Sequence, residues 1–367
     1  MSGAGGRVGR YARAGRRWGS LLASRRYQGL RLSYGHDVVP GPEAAVSGGT
    51  AKFQRLQERF PNHPTDFTVL YLGSSWLPRD LEPLLWAARR RGAPVVVNQN
   101  GVGYPAWAGE RTRAVNRPLR LALEAATHVL YQSAFSKSAA DAWLGPAPGS
   151  WEILSNAVDV DRFRPAVEPP PGGPVLLLGG DQTQTYRVEL ALRTLALVRR
   201  EHPDARLVVT GRLVASPEPL IRELGVHGAV ELVGRYTQAE AVALFQRSHL
   251  LLHTQMNDNC PSLVLEAMAC GLPVVYCRSG GTPELVGDEA GIGVPHDADW
   301  DRLVPPPPEA LAEAVARGLG GGARLGAAGR RRVEENYALP GWLSRHEQLL
   351  AELLNSGSSP RPRSRPT

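Results

Sequence analysis

The chain has 367 residues, 43% hydrophobic and 21% charged, which is enough for two domains with their own cores and excludes disorder for most of its length. No run approaches eighteen uninterrupted apolar residues, and the longest apolar patch near the start is GSLLA, so neither a spanning helix nor a signal-peptide core is expected and the protein reads as cytoplasmic. The net charge of +7 belongs to the tails: residues 1–33 hold eight arginines and residues 355–367 three, with no acid in either, so the body between them is acidic overall.

In chain order, residues 1–29 read as a basic flexible tail whose WGSLLASRRY stretch suits an anionic membrane surface, a peripheral rather than a spanning contact. No aromatic and basic module for nucleic acid is present. Short apolar runs then alternate with helical periodicity. LRLSY, VLYL, VVVNQ, HVLYQS and WEILSN predict strands, with helices near 50–59, 79–91, 112–126 and 136–144, and together they make a first domain over 30–165. The prolines and glycines of RPAVEPPPGGP break the pattern and place a linker at 166–174. PVLLLGG, RLVVTG, VELVG, LLLHT and PVVYC restart it, with helices near 186–201, 216–225, 237–247 and 261–270, in a second domain over 175–338. LPGWLSRHEQLLAELL predicts a last helix at 339–354, with no strand after it and therefore expected against the first domain, and 355–367 is a second flexible tail. Two such runs imply an α/β chain of two doubly wound, Rossmann-like parallel sheets, with ligands at the carboxyl ends of the strands in a cleft between them.

One stretch carries an anomaly. In NDNCPSLVLEAMACGLPVV, Asp258 and Asn259 suit a turn or cap, Pro261 the first helical position and Gly271 the position just past the end. The helix so bounded is apolar almost all round, hence buried, and yet it carries Glu266. A buried carboxylate needs partners, because desolvation costs several kcal/mol otherwise. Ser262 and Cys270, one turn away on either side, give that stripe a small and mildly polar character, and the stripe reads as facing a ligand. Amides near Cys260, Ser262 and Leu263 offer an anion site at the helix start. SGGTPELV repeats the device: Gly280 and Gly281 allow close approach, Thr282 can cap and Pro283 can open a helix. The cysteines, Cys260, Cys270 and Cys277, are odd in number and match no paired metal spacing, so they read as free thiols.

DNCPSLVLEAMACGLPVVYCRSGGTPELV resembles the donor-binding segment of retaining GT-B glycosyltransferases of family 4, whose signature is glutamate, seven residues, glutamate. ILSNAVDVDRFRP resembles that family's end-of-first-domain segment, and SGGTAKFQRL its N-terminal glycine-rich loop. The resemblance implies the GT-B fold, a nucleotide-diphosphate-sugar donor in the second domain and an acceptor mainly on the first. It also implies no resident cofactor and no essential metal. Glu266 stands at the second glutamate, which implies a hold on the ribose hydroxyls, a task an ionised carboxylate performs by accepting two hydrogen bonds. Asp258 stands at the first, one methylene shorter than the family's residue, and is the candidate contact to the donor sugar.

Departure of a nucleoside diphosphate develops negative charge that a cation must stabilise. Arg187 is the candidate, with Arg212 and Arg235, each just after a strand-ending glycine, as alternatives. On the first domain Gly48 and Gly49, with Lys52 nearby, are placed to approach the diphosphate or acceptor. NQNGVGYPAW stands where the resemblance implies a histidine, so Asn98, Gln99 or Asn100 supplies a neutral amide on the acceptor side. The expectation is a retaining, hexosyltransferase-like, metal-independent glycosyltransferase. Its acceptor would be the hydroxyl of a glycan, a lipid-linked molecule or a small molecule. Three alternatives stay open: a non-catalytic nucleotide-sugar-binding subunit, a GT-B enzyme of another reaction type such as an epimerase or phosphorylase, and a nicotinamide-dependent dehydrogenase, for which GVGYPA is only a loose match to the glycine fingerprint.

Overall fold

The computed structural model describes residues 19, 21, 27–41, 44, 48–297 and 299–357, and the surface-binding reading of the two tails falls largely outside them. One correction to the flexible-tail expectation is visible: Leu21 is buried in the first domain's core and its carbonyl accepts a hydrogen bond from Arg91 Nη2. No helix among the described residues is long and apolar enough to cross a membrane.

The first domain contains β1 (Leu32–Ser33), α1 (Gly48–Arg59), β2 (Val69–Gly73), α2 (Leu81–Arg91), β3 (Val95–Gln99), α3 (Pro105–Ala108), α4 (Thr112–Glu124), β4 (His128–Tyr131), α5 (Ala134–Trp143) and β5 (Ser150–Ile153). The second contains β6 (Val175–Leu178), α6 (Thr185–Val198), β7 (Arg206–Thr210), α7 (Glu218–Glu223), β8 (Val230–Gly234), α8 (Gln238–Gln246), β9 (Leu250–His253), α9 (Ser262–Ala269), β10 (Val274–Cys277), α10 (Thr282–Val286), β11 (Gly291–Val294), α11 (Pro308–Gly320) and α12 (Gly322–Asn336). A last helix, α13 (Leu339–Gly357), closes the described chain. Local chemistry sets several of these ends. Ser133 and Thr237 form capping boxes at the starts of α5 and α8, and Gly92 ends α2 in the left-handed conformation.

Both sheets are parallel, with order β1-β2-β3-β4-β5 in the first and β11-β10-β9-β6-β7-β8 in the second. Their central strands are buried on both faces, which is why they read as continuous apolar runs rather than as alternating ones. In the first sheet, alternate residues sort cleanly: Leu70, Leu72 and Val97 pack with α2, α4 and α5, whereas Val69, Tyr71 and Val96 pack with α1 and with Trp342, Leu349 and Leu350 of α13. The strands run in sequence order, so a connection on the opposite face has the opposite hand. The β1-α1-β2 crossover is therefore reversed relative to the three that follow, a rare arrangement. Its consequence is that α1 and the chain end α13 together make the second layer of this domain.

In the second sheet the chain moves from β6 out to β7 and β8, then returns to the other side of β6 to lay down β9. That reversal leaves a crevice between the carboxyl ends of β6 and β9, the position where open α/β sheets hold ligands. The sequence left α11, α12 and β11 unread. α12 packs its small face on α9, and a side chain at Gly326 would overlap the Gly271 carbonyl, a constraint invisible to periodicity.

Candidate functional site

The crevice is framed by Gly179, Gly180 and Asp181 after β6, by His253 at the end of β9, and by α9. Pro261 is the N-cap of α9 rather than its first helical residue, and no side chain caps that helix start. Glu266 sits four residues inside the helix and is buried, its side chain 10% exposed. Its partner comes from the other domain: Arg55 Nη2 of α1 lies 3.5 Å from Glu266 Oε1, while Arg55 Nη1 donates to the Ala157 carbonyl. Burial pushes the Glu266 carboxyl up to about 7, against the opposing pull of Arg55 and Arg162. A single long ion pair leaves most of the carboxylate's accepting capacity unused.

Asp258 accepts hydrogen bonds from the N–H groups of Asn259 and Cys260, so it caps its own loop. The Cys260 amide is thereby occupied, which corrects the expectation that it would be open to an anion; the helix start retains those of Ser262 and Leu263. Burial raises the Asp258 carboxyl, and Arg187 opposes that rise. His253 Nε2 stands 3.7 Å from Asp258 Oδ2, beyond hydrogen-bond reach, and neither His253 ring nitrogen has a hydrogen-bond partner among the described residues. Burial drives this histidine down to about 3, so it is a neutral ring beside the carboxylate. Tyr104 completes the group from the first domain, bonding through its hydroxyl to Asn257 and lying next to Asp258. Asn257 adopts φ 52, a left-handed conformation asparagine tolerates.

The glycine pairs do something other than expected. Side chains at Gly280 and Gly281 would overlap the backbone of Asp258 and Asn259, so these glycines let two loops of the protein meet and are not open cradles for a ligand. Gly281, not Thr282, is the N-cap of α10; Thr282 is its first residue and its buried hydroxyl has no partner. Gly48 and Gly49 begin α1, and a side chain at Gly49 would overlap Ser75. Leu263 packs its side chain on Gly179.

Arg187 is buried, with Nη1 donating to the Asp181 carbonyl and Nη2 to that of Gly179. It holds the β6-α6 loop in shape, leaving Nε unpaired beside Asp258. Arg212 and Arg235 are exposed and converge on Asp181, which accepts from the Arg212 N–H and from Arg235 Nη2 at 3.1 Å. Burial raises Asp181, but these donors outweigh it and hold the carboxyl below its ordinary value.

On the first-domain wall, Asn98 is turned inward, donating to Tyr71 Oη at 3.1 Å and accepting from Lys52 Nζ at 2.7 Å. Asn100 also accepts from Lys52, at 3.1 Å, and Gln99 donates to the Gly101 carbonyl. Only Asn100 of the three reaches toward the cleft surface, through Ser75. Periodicity missed Arg55, Tyr104, His253 and Glu284. Glu284 of α10 accepts from the N–H groups of Ala134 and Phe135 and so caps α5 across the cleft. Tyr104 precedes a proline at a helix start and His253 ends a strand, the two signals that could have found them; Arg55 and Glu284 became visible only once the domains were placed together.

Residues 159–325 match the family model described as glycosyl transferases group 1. Over 176 residues the chain is 32% identical to a D-inositol 3-phosphate glycosyltransferase of Saccharomonospora viridis, covering 42% of this chain and 41% of that one. It is 27% identical over 345 residues to a GDP-mannose-dependent alpha-(1-6)-phosphatidylinositol monomannoside mannosyltransferase of Mycolicibacterium smegmatis, covering 88% of this chain and 84% of the relative. Among solved structures, HepE of Anabaena in complex with UDP superposes with a TM-score of 0.64 at 16% identity, over 78% of this chain and 79% of that one. The chain spans about two fifths to two thirds of the length of the curated relatives it matches first. The two facing parallel-sheet domains are the GT-B fold.

Proposed function

From a GT-B chain whose residues 159–325 form a glycosyl transferases group 1 module, we propose that this protein transfers a sugar from a nucleotide-diphosphate-sugar donor to a hydroxyl acceptor, with retention of configuration and without a metal. The observation that carries the reading is Glu266: a carboxylate buried at the strand ends beside the switch point, whose one ion pair among the described residues is the 3.5 Å contact with Arg55, with Arg162 farther off. Such a group is costly without further partners, and two vicinal ribose hydroxyls supply them.

In this reading the α9 amides of Ser262 and Leu263 and the guanidinium of Arg187 receive the diphosphate, and Arg212 and Arg235 border it. Asp258 faces the donor sugar from a loop already fixed by its own amides, and Thr282 offers its unpaired hydroxyl. In a front-face displacement the departing phosphate takes the acceptor proton, so positioning and charge stabilisation carry the rate. Asn100 and Ser75 stand on the acceptor side. The engagement of Asp258 with its own backbone supports a second reading, a subunit that binds nucleotide sugar without turnover.

The test is incubation of the purified chain with uridine, guanosine, adenosine and cytidine diphosphate sugars and a panel of polyol, glycan and lipid acceptors in the presence of chelator. Turnover with an axial product from an axial donor, lost in Glu266→Ala together with thermal stabilisation by the nucleotide, is the expected result. Full turnover by Glu266→Ala would sink the assignment, and stabilisation without transfer to any acceptor would select the binding-subunit reading.

A further inference from the structure

The chain has two lysines among its forty-two basic residues, Lys52 and Lys137, and the first is buried in the cleft wall, 4% exposed. A cation in that position has to be held, and the hydrogen bonds around it form one continuous chain. Trp342 O of α13 can only accept, so His346 Nδ1, 2.8 Å away, carries the proton. Burial keeps this ring neutral, its pKa brought down to about 4. His346 Nε2 is then an acceptor, and Tyr71 Oη donates to it at 3.0 Å. The Tyr71 oxygen in turn accepts from Asn98 Nδ2, which fixes that amide's orientation and points Asn98 Oδ1 at Lys52 Nζ. Asn100 Oδ1 takes a second ammonium hydrogen. The third has no partner among the described residues, and no described carboxylate pairs with Lys52. Its remaining polar neighbour is the Cys260 thiol, across the cleft, on the residue just before the N-cap of α9.

We propose that Lys52 is the cleft's receptor for a phosphoryl group, and that α13 holds it in register through the chain His346, Tyr71 and Asn98. A tetrahedral ammonium can satisfy two fixed amide oxygens and present its last hydrogen outward, which a planar guanidinium cannot do, and the anion it receives supplies the charge that its neutral partners lack. His346, Tyr71 and Asn98 are positioning residues in this arrangement, since none of them reaches the ligand. The choice of ligand rests on the donor-site reading, but the assignment of Lys52 is tested without any transfer assay. The phosphoryl group has two sources, the diphosphate of a donor or a monophosphate on an acceptor.

The titratable groups packed on Lys52 are Tyr71 and His346 from its own domain and Cys260 from the other. Burial pushes Tyr71 up and Cys260 to about 12, and His346 lies at about 4, so a transition near 7 belongs to Lys52 itself. With only two lysines, a chain labelled with carbon-13 lysine gives two ε-methylene signals, and Lys137 serves as the internal control. Inorganic pyrophosphate and inorganic phosphate are then titrated into the full chain, by this signal and by calorimetry. The expected result is a Lys52 signal that moves on adding pyrophosphate, and a loss of at least tenfold in pyrophosphate affinity in Lys52→Met. Tyr71→Phe keeps the ring packing but breaks the chain, and it should shift the Lys52 ionisation midpoint and weaken binding severalfold. His346→Gln, which retains an acceptor toward Tyr71, should preserve the midpoint better than His346→Leu. Dependence on Lys52 for pyrophosphate alone identifies the donor diphosphate; equal dependence for phosphate identifies a monophosphate on the acceptor. Wild-type affinity for both probes in a folded Lys52→Met, or a Lys52 midpoint unmoved by Tyr71→Phe, overturns the proposal. Sugar transfer that proceeds unaffected by Lys52→Met would reject this inference and leave the proposed function standing. Lys52-dependent binding without transfer would do the reverse.

Discussion

His253 shows how much a single misfit side chain reveals. It is buried, 2% exposed, both nitrogens lack hydrogen-bond partners among the described residues, and a leucine of similar size would cost nothing in hydrogen bonds. Its ring stays neutral in the fold, brought down from 6.5 to about 3, whereas the unfolded chain protonates it below its ordinary value. The unfolded state therefore binds the extra proton between those two values, and stability contributed by this residue is present above pH 6.5 and lost as pH falls toward 3. Glu266, raised to about 7, has the opposite sign, its protonation favouring the fold as pH falls, so the histidine has to be isolated by difference. His253→Leu should be more stable than the parent at pH 5 than at pH 8, by about 2 kcal/mol of additional difference in urea unfolding. Equal differences at the two pH values would show that the ring protonates freely in the fold. Retention of the histidine despite that cost fits a place beside Asp258, where substrate rather than protein would satisfy it.

At the level of elements, what the sequence made legible is what periodicity and caps encode. The strands β2, β3, β6, β7, β9 and β10 stood out because both their faces are buried, and α9 because its apolar run ends at Gly271, which takes φ 74. The uncommon carboxylate in α9 flagged Glu266 without any partner in view. Contacts between elements distant in sequence were not legible: the glycines at 280 and 281 looked like ligand cradles, and only the fold shows that residues 257–259 fill the space. The reversed hand of the α1 crossover is equally silent in one dimension, since it depends on which face α13 leaves open. Glu284 illustrates the gap. In sequence it is an acid in the first turn of a short helix; in the fold it accepts two N–H groups at the start of α5, beyond the one Ser133 satisfies. Glu284→Ala should cost about 1 kcal/mol, the scale of a lost helix cap, and it should expose the Ala134 and Phe135 amides to hydrogen exchange. Unchanged exchange at those two amides would place Glu284 away from α5 in solution.

For the whole molecule, the two domains are held face to face by contacts of unequal kind. Arg55 with Glu266 is a long ion pair, Asn156 Nδ2 donates to the Cys260 carbonyl at 2.7 Å, and Glu284 caps α5. The apolar part is supplied by Trp300, which reaches from the second domain into a first-domain aromatic group, and by the smaller Leu303, which packs on both cores. Its ring centroid is 5.6 Å from that of Phe135, near parallel at 23°, and 5.1 Å from that of Tyr104 at 69°. Its carbonyl accepts the Ala106 N–H at 2.8 Å. Polar contacts across a cleft exchange with water at little net gain, whereas a half-buried indole loses apolar area on separation, so Trp300 should dominate closure. Tyr104 also touches the Asp258 loop, so loss of the indole loosens the wall of the crevice beside Asp258 as well as the domain pair. Removing about 2 kcal/mol from the closed form changes its population relative to the open form by roughly thirtyfold. Trp300→Ala should therefore enlarge the radius of gyration in small-angle X-ray scattering and weaken nucleoside diphosphate binding, while urea unfolding of the second domain, whose two core layers pack on the faces of its own sheet without Trp300, keeps its midpoint. An unchanged scattering profile with parental nucleotide affinity would show that the polar contacts suffice and that the aromatic group serves the first domain alone.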